Sequence, residues 1–163
     1  MHSTGEVNLN LEGYVDYAEV CGASQCGNHC NREQPDGGSV CVHGFVGLDK
    51  NGNAAAVQIL PYNICCWGCG SGSKGSYNFS PAYIQFEICE GDHANKALGL
   101  KLYNAAVEYA AAICKEYGFD PDDITSHTEA NAAGHASNHG DPRNHSPKFG
   151  KSKDKFRAAQ PNG

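Results

Sequence analysis

The chain has 163 residues, 40% of them hydrophobic and 18% charged, and a net charge of −6. That is enough for one domain with a real core, and the acidic balance argues against a nucleic-acid groove. No apolar run approaches membrane-spanning length and no charged-then-apolar segment opens the chain, so membrane insertion and a standard export signal are not expected. Nine cysteines are an odd number, which leaves at least one free or paired outside the chain. A structural zinc site wants paired C-x-x-C knuckles. Cys66 and Cys69 make one and there is no second, so buried free thiols are the simpler expectation.

Taken in order, residues 1–5 read MHSTG, with His2 at a point where termini usually fray; His2 is either incidental or part of an element already under way. Residues 8–15 carry Leu9, Leu11 and Val15 on one side of an amphipathic turn. Residues 21–38 read as loop, with PDGG a strong turn signal. Residues 40–48, VCVHGFVGL, have the β-branched and aromatic content of a strand. DKNGN follows as a hairpin turn, with positive φ expected at Asn51 and Gly52, and residues 55–60 form the return strand. Residues 61–80 are a long glycine- and serine-rich loop holding Trp67. Loops of that length are usually functional or mobile; Trp67 either walls a groove or pins the loop to the core.

Residues 83–89, YIQFEIC, alternate cleanly. Ile84, Phe86 and Ile88 fall on one face, and Tyr83, Gln85, Glu87 and Cys89 on the other. Glu87 is therefore a mid-strand carboxylate that points either to the surface or into a cleft. Residues 92–117 form the clearest helix, with Leu98, Leu102, Ala105, Ala106, Tyr109, Ala110, Ile113 and Tyr117 at helical spacing. Asp92 is the expected N-cap and Gly118 the residue past the end. A turn at 121–123 leads to a short strand over 124–126 that delivers His127. Residues 149–159 form a short amphipathic helix anchored by Phe156.

The stretch 124–145, ITSHTEANAAGHASNHGDPRNH, holds His127, His135, His139 and His145, four of the eight histidines, together with Glu129 and Asp141. Imidazole and carboxylate are the ligands zinc prefers, and catalytic zinc keeps three protein ligands and an open position. The alternative is a solvated His-rich loop without a metal.

The motifs MHSTG, GNHCNREQPDGGSVCVHGFVG, WGCGSGSKGS, YIQFEICEGD and ITSHTEANAAGHASNHGDP occur in an order that resembles the zinc-dependent type-2 N-acetylmuramoyl-L-alanine amidases. That class includes endolysins of phages and prophages and shares its fold with peptidoglycan recognition proteins. The resemblance runs over nearly the whole chain. It implies an α/β fold with a mixed central sheet flanked by helices and a zinc groove on one side. It implies a catalytic domain over residues 1–159, its opening strand truncated ahead of His2, and a tail or linker start over 160–163.

It also implies Zn2+ held by His2, His127 and Asp141. Glu87 matches the family's catalytic carboxylate, and His139, two residues before Asp141, its electrophilic helper. His43, His29 and Trp67 are expected to be groove residues, with His43 in the groove or supporting a ligand from behind. His135 is expected groove-side or solvated. Trp67-Gly68-Cys69-Gly70 stands where relatives have W-H-x-G. The implied reaction is hydrolysis of the amide joining N-acetylmuramic acid to L-alanine of peptidoglycan, by a monomer made in the bacterial cytoplasm and acting on the wall. The other class the resemblance allows is a non-catalytic peptidoglycan-binding module of the same fold.

Overall fold

A computed structural model describes residues 1–3, 11, 42–63, 65–89, 95–139 and 152–160. The expected loop over 21–38, the turn over 8–15 apart from Leu11, and His29, Asp92, Asp141 and His145 lie outside the described residues. Among the described residues four strands form one sheet: β1 (His2–Ser3), β2 (Gly44–Leu48), β3 (Ala54–Gln58) and β4 (Phe86–Ile88), in the order β1-β4-β2-β3. β4 is parallel to both β1 and β2, while β2 and β3 are an antiparallel hairpin, so the sheet is mixed. The helices described from end to end are α1 (Lys96–Tyr117), a 3-10 turn (Pro121–Asp123), α2 (His127–Ala133) and α3 (Lys153–Ala158). This is the expected α/β class. No described helix is long and apolar enough to cross a membrane.

The central strands are covered on both faces. Val46, Phe86 and Ile88 pack against Leu102, Tyr103, Ala106 and Ala110 of α1, with Phe156 of α3 joining them. On the other face Phe45 and Cys89 pack with Val42 and Leu11. Each large apolar side chain buried this way contributes about 1.5–3 kcal/mol. Two-sided burial is why β4 is buried at all three positions rather than at alternate ones.

The strands are shorter than their sequence signals for identifiable reasons. The 83–89 signal yields only Phe86–Ile88, because Tyr83 N–H is drawn to Tyr77 C=O and Gln85 N–H to the ring of His43. The 40–48 signal starts at Gly44, although His43 N–H still reaches Gln85 C=O at 2.8 Å. The return strand ends at Gln58, where Ile59 and Leu60 N–H both turn to His43 C=O. The hairpin forms at DKNGN as expected. Asp49 Oδ1 accepts from Asn51 and Asn53 N–H, and Gly52 takes φ 76°.

α1 begins later than expected. Its N-cap is Asn95, whose side chain accepts from Leu98 N–H, and not Asp92; it ends at Gly118 in the left-handed conformation. Gly99, Leu102, Tyr103, Ala106, Ala110 and Ile113 are its buried stripe. Tyr117, expected on that stripe, is exposed and stacks on Phe119. The expected strand over 124–126 is not one. The segment is extended and touches β1 through Met1 N–H to Thr125 C=O and His127 N–H to Met1 C=O, but Ser126 then caps α2 and ends it.

At Gly44 an added methyl would lie 2.5 Å from Tyr109 Oη and 2.6 Å from the Val57 carbonyl oxygen. One of these is backbone of the partner strand, so it cannot swing aside. Gly44→Ala is expected to destabilise the fold by about 1–3 kcal/mol, read as a lower urea midpoint at unchanged m-value. A midpoint equal to that of the wild type would show that β2 and β3 are not packed this closely.

Candidate metal centre

β1 and β4 are in register with His2 opposite Glu87, so the two side chains share one face of the sheet. Both are buried, at 4% and 8% exposure. The third element is the start of α2, which His127 opens. Ser126 accepts from Glu129 N–H, and the Glu129 carboxylate accepts from Ser126 N–H at 3.0 Å and from its hydroxyl at 2.9 Å, a complete capping box.

Glu129, grouped by sequence with the candidate ligands, is thus committed to holding the helix. Lys153 Nζ at 2.7 Å and Arg157 Nη2 at 3.0 Å bind the same carboxylate. Burial alone would raise its pKa. Lys153, Ser126 and Arg157 outweigh burial and bring it down to about 2. Arg157 Nε also donates to Ile124 C=O at 2.9 Å, so α3 clamps the segment that leads into His127.

The two histidine rings meet nitrogen to nitrogen, His2 Nδ1 and His127 Nδ1 lying 3.0 Å apart with the rings nearly perpendicular. Their far nitrogens settle where the protons are. His127 Nε2 lies 2.9 Å from Ser137 C=O, which can only accept, so Nε2 carries the hydrogen. His2 Nε2 lies 3.1 Å from Gln85 Oε1. The Gln85 amide is oriented in turn, because its Nε2 donates to Asn78 Oδ1 at 3.0 Å. Asn78 is oriented by Cys69 N–H at its Oδ1 and by Gly70 C=O at its Nδ2.

Each ring is therefore the Nε2–H tautomer, and the two Nδ1 lone pairs face each other. That arrangement repels itself unless a cation lies between, and it is the donor geometry a metal requires. Burial is the main cause holding the pKa of His127 down to about 4 and that of His2 well below its ordinary value. Both rings are neutral near pH 7, as metal ligands must be. Among the described residues no three His, Cys, Asp or Glu side chains come together as a metal group. The described part of the centre is two nitrogens, and Asp141, the expected third ligand, lies outside.

The structure places the other expected site residues as follows. The exposed His139 ring lies 5.3 Å from that of His127, beside the pair. Trp67 is 55% exposed and meets Phe79 edge to face, so it does not pin the loop to the core. His43 is not a groove wall. It is 2% exposed, and its Nδ1 accepts Gln85 N–H at 3.0 Å, which supports the residue behind His2. His135 stacks flat on Tyr77 at 4.5 Å and is half-buried rather than solvated. Cys66 and Cys69 are both buried, and burial raises the Cys69 thiol pKa.

The glycine-rich loop lies directly against this site. A methyl at Gly72 would collide with the Gly134 backbone, and Ser137 N–H bonds Cys69 C=O at 2.9 Å. Beside the pair opens a cavity of about 320 Å3, lined by Met1, Tyr83, Phe86, Ile113 and Phe119 together with His2 and His127.

Sequence reasoning missed Gln85, Asn78 and Ser137. Gln85 was legible in principle, since the alternation of the 83–89 stretch puts it on the same face as Glu87. Ser137 contributes a backbone carbonyl, for which no sequence signal exists.

The comparisons with known proteins agree with this architecture. The sequence profile of the N-acetylmuramoyl-L-alanine amidase family (Amidase_2) matches residues 4–144. The chain belongs to that family, whose general substrate is peptidoglycan, as amidases or as binders. Its fold matches the crystal structure of the Staphylococcus aureus hydrolase AmiA in complex with its ligand, with a TM-score of 0.63. That match covers 97% of this chain and 67% of the other at 21% identity, a likeness that speaks for the fold alone. No curated protein matches the sequence.

The depressed histidine pKa values make a prediction whose sign can be worked out. In the unfolded chain both rings take up protons below about pH 6.5. In the folded, metal-free chain His127 resists until about pH 4 and His2 also stays neutral well below its ordinary value. The unfolded state then binds more protons, so this contribution to stability is complete above about pH 6.5 and is lost as the pH falls toward 4. Urea midpoints of the metal-free protein should fall between pH 6.5 and 5, before most carboxylates titrate, and His127→Gln should flatten that slope. An equal slope in the variant would contradict the burial of a neutral His127.

Proposed function

We propose that this chain is a zinc-dependent N-acetylmuramoyl-L-alanine amidase that hydrolyses the amide between N-acetylmuramic acid and L-alanine in peptidoglycan. The observation that carries the reading is the pair of Nδ1 lone pairs of His2 and His127, 3.0 Å apart, with Glu87 in register beside His2, in a chain of this family. His2 and His127 would hold the ion with Asp141 as third ligand. Bound zinc would polarise the scissile carbonyl and lower the pKa of water.

Glu87 is the chain's own acid and base. Its carboxylate takes a proton from the attacking water and passes it to the nitrogen of the leaving L-alanine, so the C–N bond breaks to a free amine. His139, exposed at the edge of the pair, donates to the oxygen that becomes negative at the carbonyl carbon. Burial of His2 and Glu87 on one face keeps competing water away from the reacting atoms. Trp67 and Phe79 offer the glycan an exposed aromatic surface. The enzyme acts as a monomer on the wall.

The test is release of new N-terminal alanine from purified peptidoglycan with zinc supplied. Wild type should release it, a chelator should stop release, and added zinc should restore it. Glu87→Ala should lose about 10²–10⁴-fold in rate while keeping its zinc, and His127→Ala should lose the zinc itself. A folded, zinc-loaded wild type that releases no alanine but is retained on wall material would replace the amidase reading with the peptidoglycan-binding one.

A further inference from the structure

We propose that Gln85 is the positioning residue of the metal centre: its side-chain oxygen sets the tautomer and heading of His2, and Asn78 locks that oxygen in place from the glycine-rich loop. The inference rests on the zinc reading for its functional meaning, but its structural part concerns the metal-free protein.

Gln85 is held at both its backbone groups and at both ends of its amide. Its N–H goes to His43 Nδ1 at 3.0 Å and its C=O accepts His43 N–H at 2.8 Å. Its Nε2 goes to Asn78 Oδ1 at 3.0 Å, with Tyr77 C=O at 3.4 Å. That leaves Oε1 as the group facing His2 Nε2. Gln85 and Asn78 are buried, at 3% and 0% exposure, so these bonds do not compete with bulk water.

Asn78 cannot turn its amide over to present a hydrogen to Gln85. Its Oδ1 accepts Cys69 N–H at 3.2 Å and faces the Cys69 thiol at 3.1 Å, which burial keeps protonated. Its Nδ2 donates to Gly70 C=O at 3.1 Å. The series therefore runs from loop backbone through two amides to the ligand ring. At every link the donor and acceptor are decided by a group that has no alternative. A ligating imidazole whose far N–H is held in this way presents its other nitrogen to the metal in one orientation, and loss of such a partner typically weakens metal binding about 10–100-fold.

Two side chains at position 85 separate the accepting oxygen from mere packing. Gln85→Met fills the volume without an acceptor, and Gln85→Glu keeps an oxygen in the accepting position while its protonated second oxygen takes over the donor bond to Asn78 Oδ1. In 15N-histidine NMR spectra of the metal-free protein, wild-type His2 should be a single Nε2–H tautomer. It should become a mixture in Gln85→Met and return to Nε2–H in Gln85→Glu. Zn2+ titrated calorimetrically should bind Gln85→Met about 10–100-fold more weakly than wild type, and Gln85→Glu within about threefold of it by the same reasoning.

A mixed or Nδ1–H His2 in the wild type overturns the proposal. So does an Nε2–H His2 in Gln85→Met, or a Gln85→Glu that behaves like Gln85→Met. Failure of the wild type to bind Zn2+ at all would sink the zinc reading, whereas the tautomer spectra would still decide the role of Gln85.

Discussion

Two imidazole lone pairs held 3.0 Å apart in a buried site are an unfavourable contact, and much of the described structure exists to maintain it. Left alone, one ring would rotate or take up a proton and donate it to the other. Rotation is opposed because each far nitrogen is already bonded, His2 to Gln85 and His127 to Ser137. Protonation is opposed because burial disfavours the charged ring. The strain is of the kind that functional sites store and the surrounding fold holds in place. A cation between the two nitrogens would turn the repulsion into two coordinate bonds.

The scaffold distributes that task over elements far apart in the chain. β1 supplies one ring, and its register with β4 sets Glu87 beside it. α2 supplies the other, and its seven residues are too few to hold a position by their own backbone bonds. The capping box, the Lys153 and Arg157 bonds to Glu129, and the Arg157 contact to Ile124 make up the difference. The glycine-rich loop closes the third side. Gly72 is there for contact, since a side chain at that position would push the loop off the turn that follows α2. Ser137, just beyond that turn, is the acceptor for His127, so the loop and the His127 ring are set by one packing contact.

The legible part of this was what depends on local pattern. The middle of the α1 stripe (Leu102, Ala106, Ala110 and Ile113), its Gly118 stop, the hairpin at DKNGN and the Phe156 anchor all follow from periodicity and turn chemistry, and they stand where expected. Motif order brought out His2, His127, Glu87 and His139 as candidates, and the structure gathers His2 with Glu87 and His127 with His139. What was not legible depends on partners distant in sequence. Glu129 stands among the candidate ligands in the sequence, and its bonds to Ser126, Lys153 and Arg157 commit it instead to holding α2. His43 looks like a groove residue until the Gln85 N–H meets its ring. Strand ends moved for the same reason, because side-chain acceptors and loop carbonyls took N–H groups that the alternation had assigned to a ladder.

The two facing histidine rings lie 125 positions apart in the chain, and the amide of Asn78 behind Gln85 comes from yet another segment. No local fragment can assemble such a centre. The site forms when β1, β4, the glycine-rich loop and the start of α2 are all in place, which is when the fold itself is complete. An ion that binds only there favours the folded state by mass action. Protons oppose it twice: they compete for the Nδ1 atoms, and they bind more readily to the unfolded chain. Metal affinity and fold stability should therefore weaken together as the pH falls below about 6.5, because both depend on the same two rings staying neutral.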